Sequence, residues 1–91
     1  MFLEIDINEA CIAEGKKFSI WASPMALAVR NTNAFRDDKN SFLMCGREVI
    51  IGFLKDTDTK LRINLPDVAR RWITDFDTGK RVKPLLLRVE I

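Results

Sequence analysis

Residues 61–91 have the sequence LRINLPDVARRWITDFDTGKRVKPLLLRVEI, and this stretch decides the fold. Apolar residues alternate with polar ones over 61–65, which predicts a strand with one buried face. Residues 68–76 place their apolar side chains on one helical face, and the alternation of a strand returns over 85–91. We therefore predict a strand, an amphipathic helix that stops at Gly79, and a second strand.

Two shorter helical segments are predicted in the first third of the chain. Asn8 is expected to cap a short turn, which Gly15 closes in the left-handed conformation that glycine tolerates. Ser23 and Pro24 have the residue types of an N-cap and a first helical position, and they precede a mostly apolar helix over 25–29.

The remaining segments predict strands and loops. Residues 3–7 alternate as an opening strand, and residues 42–51 are strand material interrupted by a turn or bulge at Gly46. With residues 61–65, these segments suggest a three-stranded meander or a long bent hairpin. Residues 31–41 are mostly polar and predict an exposed loop.

Together these segments predict an α+β fold for one compact domain over residues 1–91. We expect a two-layer arrangement in which a mainly antiparallel sheet of four or five strands carries two helices on one face. The simplest version has the strand-helix-strand-strand-helix-strand order of ferredoxin-like domains. Edge strands of such a small sheet make either a monomer or a strand-paired homodimer compatible with the sequence.

Composition and charge argue against several classes of function. The chain has 91 residues and a net charge of +2, with both signs interspersed. A DNA mimic needs a strongly acidic surface, and a dedicated nucleic-acid binder usually has a clear basic excess. Two isolated cysteines and no histidine exclude a Cys/His zinc site and histidine-dependent catalysis. We therefore expect no enzyme activity, no metal and no cofactor.

One short motif resembles a catalytic one. Asp77-Thr78-Gly79 spells the aspartic-protease triplet, but it follows an amphipathic helix and precedes two basic residues, so we interpret it as a helix C-terminus. Residues 1–7 lack the features of a signal peptide, and no stretch approaches eighteen apolar residues. We expect a cytoplasmic protein without a membrane-spanning segment.

Two kinds of side chain are candidates for contact with a partner. Trp21 and Phe35 are aromatic residues next to or within irregular segments, where an exposed ring would suit an interface. The second kind is a basic cluster on and beyond the last helix, whose alternative interpretation is a solvated face with partners within the helix. It comprises Arg70, Arg71, Lys80, Arg81 and Lys83.

A sequence pattern extends over residues 23–30 (SPMALAVR), over Leu65-Pro66 with the helix pattern through Gly79, and over the later Val82 and Pro84-Leu85. In this pattern the chain resembles a group of small uncharacterised proteins encoded by bacteriophages and prophages. The resemblance implies a phage origin in a bacterial host cytoplasm rather than a mechanism.

With that origin, we expect a non-enzymatic accessory protein that binds a host protein and sterically inhibits or redirects it. A defence system such as CRISPR–Cas is one such target. Occlusion needs about 800 Å² of complementary surface and no catalytic residue. Two alternatives stay open: a small regulator that binds nucleic acid through the basic cluster, and an oligomeric sponge for a signalling nucleotide.

Overall fold

A computed structural model describes residues 2–36, 43–55, 57 and 59–91. It shows a small α+β domain, as predicted, and the described part contains three helices and five strands. In chain order these are β1 (Phe2–Ile7), α1 (Glu9–Glu14), α2 (Pro24–Asn31), β2 (Met44–Cys45), β3 (Val49–Phe53), β4 (Lys60–Asn64), α3 (Asp67–Asp77) and β5 (Leu85–Glu90).

The five strands form two antiparallel sheets rather than the single predicted one. In the first sheet β1 pairs with β5 along its whole length, from Phe2 opposite Glu90 to Ile7 opposite Leu85. The second sheet is the predicted meander, in the order β2-β3-β4. The observed succession also departs from the simplest version, because two helices follow β1 and three strands lie between α2 and α3. Phe42, predicted to begin a strand, lies outside the described residues.

Local signals in the sequence locate the helix starts. The side chain of Asn8 accepts a hydrogen bond of 3.0 Å from the backbone N–H of Cys11, so the predicted turn is the helix α1. Ser23 accepts one of 3.1 Å from the N–H of Ala26, and Pro24 is the first residue of α2. Both N-caps are confirmed.

Gly15 has a different role from the predicted one. Its φ is −68°, so it does not adopt the left-handed conformation. A Cβ at this position would lie 2.4 Å from the Pro24 ring, which means that α2 begins too close to the end of α1 for any larger residue. Gly79, in contrast, has a φ of +84° directly after α3, as a helix end that uses glycine requires.

The core lies between the helices and the two sheets. Helix α2 packs against β1 and β2 and is buried along most of its length. Helix α3 turns Ala69, Ile73 and Phe76 inward, as its pattern predicts, whereas Val68, predicted on the same face, is exposed in the first turn. Trp72 is half-buried, with its ring stacked on Phe76 at 5.9 Å between centroids. Its indole N–H donates a 2.8 Å hydrogen bond to the carbonyl oxygen of Lys83. Helix α3 is thereby attached to the segment that leads into β5.

Candidate functional site

Large apolar side chains are exposed in one short segment, residues 16–22, which we call the aromatic loop. Phe18 is 66% exposed, Trp21 is 47% exposed, and Ile20 between them is also exposed. They account for half of the six large hydrophobic residues that stand exposed in the described part of the chain. Such a concentration on so small a protein is typical of an interaction surface.

The aromatic loop is closed on itself by hydrogen bonds. The N–H of Lys16 donates to the carbonyl oxygen of Ala22 at 2.8 Å, which joins the two ends of the loop. Within it, the Ser19 hydroxyl oxygen accepts from the N–H groups of Trp21 at 3.3 Å and Ala22 at 2.9 Å. The Ser19 hydroxyl therefore supplies the acceptor that a backbone carbonyl group would supply to these amides in a helix or a sheet.

Three further hydrogen bonds fix the loop to the body of the domain. The N–H of Phe18 donates to Oδ1 of Asp77 at 2.9 Å, and the N–H of Cys45 donates to the carbonyl oxygen of Ile20 at 3.0 Å. The guanidinium of Arg30 donates to the carbonyl oxygen of Trp21. The loop thus touches the end of α3, the strand β2 and the helix α2, so its apolar side chains are displayed from a defined backbone.

Phe18 has an unusual backbone conformation. Its φ is +57°, in the left-handed region that bulky residues rarely occupy. Such a conformation costs of order 1–3 kcal/mol and persists only where the surroundings impose it. Here the bond to Asp77 does so, and the result is that the Phe18 ring points to solvent. Strained residues of this kind cluster at binding and catalytic sites.

Asp77 is the polar centre of the site. Its side chain is 5% exposed, and Oδ2 lies 3.4 Å from Nε of Arg47. The Arg47 guanidinium in turn lies 5.4 Å from the centre of the Phe18 ring, within the range of a cation–π interaction. One carboxylate therefore holds the Phe18 backbone and orients the cation that covers the Phe18 ring.

A small concavity opens beside the loop. Its volume is about 110 Å³, and its lining includes Phe18, Ile20, Cys45, Arg47, Ile73 and Asp77. Small-molecule sites usually measure about 300–1,000 Å³, so this one is too small for a nucleotide. Its volume is comparable to that of a single apolar side chain.

The predicted site residues lie in different places. Trp21 is exposed, in the aromatic loop. The expectation that Phe35 is exposed is wrong: it is 5% exposed and pairs with Leu54 in an isolated β-bridge. Its ring occupies the room left by the missing side chain of Gly52, because a Cβ there would lie 2.9 Å from it. Residues 37–41 of the predicted loop lie outside the described residues.

The basic cluster divides into two groups. Arg70 and Arg71 lie on α3, where Arg70 pairs with Asp67. Lys80 pairs with Asp75 at 3.5 Å, and with Arg81 it lines a second concavity together with Lys17. Within the described part of the chain no ion pair forms at Arg71, Arg81 or Lys83. Two of the five cations thus lie on α3 and the other three follow its end, with Asp75 between Lys80 and the concavity that Arg70 and Arg71 line.

Sequence reasoning missed Phe18, Ile20, Arg47 and Asp77. The signal for Phe18 and Ile20 was the mostly apolar sequence Phe18-Ser-Ile-Trp21, which lies between two lysines and a helix cap. A connecting segment this short buries few of its side chains, so some of these apolar residues had to be exposed. Asp77 had no such signal, because its partners are distant in sequence.

Other types of site are not found in the described residues. No three cysteine or carboxylate side chains there lie together in a way that could hold a metal ion. None of the helices described has the length and apolar character needed to cross a membrane. Comparison of the chain with protein-family models, curated proteins and solved structures gives no match.

Proposed function

We propose that this protein is a non-enzymatic binding protein that occludes a surface of a host protein, and that the aromatic loop is the centre of the surface it uses. The observation that carries the proposal is the exposure of Phe18, Ile20 and Trp21 from one loop that six hydrogen bonds hold in place. Aromatic anchors of this kind contribute most of the binding energy at protein interfaces.

The aromatic loop is already ordered in the unbound protein, so less conformational entropy is lost when a partner binds. Association costs about 0.5–1.5 kcal/mol for each flexible side chain that must be immobilised, and ordering a mobile loop adds a further cost. A loop already tied to Asp77, Cys45 and Arg30 has lost most of that freedom in the unbound protein. More of the energy of burying Phe18 and Trp21 is then available for affinity.

The charges around the loop indicate the chemistry of the partner. Lys16 and Lys17 are exposed at its start, and the Arg47 side chain is 51% exposed beside Phe18. An apolar centre with a cationic rim complements a partner surface that presents an apolar side chain among carboxylates. The resemblance to phage proteins supports a bacterial host as the source of this partner, and a defence complex such as CRISPR–Cas as its class.

The test is affinity capture from a bacterial lysate, with and without nuclease, of the wild-type protein and two variants. Trp21→Ser removes an anchor of the aromatic loop. Val68→Ser is the matched control, because Val68 is similarly exposed, at 54%, on helix α3. We expect a stoichiometric protein that withstands nuclease and is retained by the wild type and Val68→Ser but lost with Trp21→Ser.

Three results would overturn the proposal. Retention that is equal for all three proteins would mean that the partner binds elsewhere. Retention that nuclease abolishes would support the alternative of a nucleic-acid-binding regulator. An absence of any retained protein would leave the sponge for a signalling nucleotide as the function to pursue.

A further inference from the structure

Two of the outer strands of the two sheets, β4 and β5, each pair with a single strand in the described part of the chain. Strand β4 is the last strand of its sheet and pairs only with β3. Strand β5 pairs only with β1. Each therefore has one row of backbone N–H and C=O groups that faces away from its own sheet, and such rows readily pair with another strand.

Residues of these two strands line one groove, which we call the inter-sheet groove. Its volume is about 360 Å³, and residues from β4 and β5 line it: Arg62, Ile63, Asn64, Arg88, Val89 and Glu90. They are the last residues of both strands. The strands thus end at the same end of the groove, as expected for two parallel strands joined through a helix such as α3.

We propose that the inter-sheet groove binds one extended peptide segment of another protein, which adds a strand between β4 and β5. The added strand would give both edges hydrogen-bond partners at once and would join the two sheets into one. Addition of a strand at an exposed sheet edge is a known mode of peptide recognition, in which backbone hydrogen bonds give affinity and side-chain contacts give specificity. The inference concerns a different surface from the aromatic loop and does not depend on it.

The groove residues also specify the side chains of the segment. Ile63 and Val89 are each 7% exposed and belong to the core side of their strands. Arg62 and Arg88 are exposed, and Arg88 lies over the Phe2 ring at 4.4 Å. Because side chains of a strand alternate between two faces, the segment has apolar residues next to Ile63 and Val89 and carboxylates next to the arginines. Glu90 adds one negative charge at the end of the groove.

The probe is the peptide acetyl-Val-Glu-Val-Glu-Val-Glu-amide, which is about as long as β4 at roughly 3.3 Å per residue. Its binding to the ¹⁵N-labelled wild-type protein is followed by amide chemical shifts and by hydrogen exchange. We expect saturable shifts and at least tenfold slower exchange at amides of β4 and β5. An analogue with an N-methyl group on every residue, which has no backbone donor toward either β4 or β5, is expected not to bind.

Two variants test the assigned charges. Arg62→Glu reverses a charge in the groove, and we expect it to weaken binding of the Val-Glu peptide at least tenfold. Arg71→Glu makes the same change on helix α3 and is expected to bind as the wild type does. The spectra of both variants without peptide show whether each is folded.

Four outcomes would overturn the inference. These are an absence of shifts at β4 and β5 with peptide in the millimolar range, equal binding of the N-methylated analogue, equal binding by Arg62→Glu, and protection of both edges that depends on protein concentration alone. The last outcome would mean that a second copy of the chain fills the groove.

Discussion

The backbone N–H of Phe18 donates a hydrogen bond of 2.9 Å to Oδ1 of Asp77, across 59 positions of the sequence. The same carboxylate lies beside Arg47, which covers the Phe18 ring. The last residue of α3 thereby fixes the conformation of a loop that belongs to the first quarter of the chain. The display of the apolar side chains is a property of the tertiary fold rather than of the loop itself.

We predict that Asp77→Ala lowers the free energy of unfolding by about 1–2 kcal/mol, because it leaves the Phe18 N–H and the Arg47 cation without their acceptor. Asp77→Asn keeps a carbonyl oxygen for Phe18 and is expected to cost less than about 1 kcal/mol. Urea unfolding measures both values.

The control for this pair is Asp75→Ala. Asp75 pairs with Lys80 at 3.5 Å, but both side chains are largely exposed, so the expected cost is within about 0.5 kcal/mol. An Asp77→Ala variant as stable as Asp75→Ala would show that Asp77 does not hold the loop.

Truncation of the two aromatic residues that the sequence pointed to, Phe35 and Trp21, should lower the free energy of unfolding by very different amounts. Phe35→Ala empties a buried position and is expected to cost about 3–5 kcal/mol. Trp21→Ala removes a side chain that is 47% exposed and is expected to cost less than about 1 kcal/mol. Thermal unfolding of the two variants measures the difference, and similar losses would contradict the placement of Phe35 in the core.

Gly15 tests the close approach of α1 and α2. We expect Gly15→Ala to destabilise the protein by about 1–3 kcal/mol, because the new methyl group would overlap the Pro24 ring. Gly46→Ala is the control, since the nearest atom to its methyl group would be the Val49 carbonyl oxygen at 3.6 Å. Equal stability of the two variants, determined by urea unfolding, would rule out the tight packing described for Gly15.

Ser19→Ala should loosen the aromatic loop without unfolding the domain. The hydroxyl accepts from the amides of Trp21 and Ala22, which are expected to exchange their hydrogens at least tenfold faster in the variant. Amides of Ile5 and Val29 in the core serve as internal controls. Unchanged exchange at Trp21 and Ala22 would mean that the serine does not order the loop.

Much of the fold was predictable because its signals are local. Residues next to each other in sequence form the caps at Asn8 and Ser23, and a single periodic pattern specifies α3. The division into two sheets was not predictable, because periodicity identifies the buried face of β4 or β5 but not the strand that pairs with its edge.

The candidate site was less predictable, because its conformation depends on contacts between residues that are distant in sequence. Residues 16–22 donate a hydrogen bond to Asp77 and accept hydrogen bonds from Cys45 and Arg30. No sequence pattern within the loop indicates these partners. Phe35 was misplaced because the room for its ring comes from Gly52 in a different strand. Trp21 was identified because it adjoins a helix cap and falls outside every apolar period.

Binding of a host protein by the aromatic loop is tested most directly by the affinity of the captured partner for three purified proteins. Titration calorimetry would compare the wild type, Trp21→Ser and Val68→Ser. We predict that Trp21→Ser costs at least about 2 kcal/mol, or roughly thirtyfold in Kd, while Val68→Ser changes Kd less than about threefold. Equal affinities for all three proteins would contradict it.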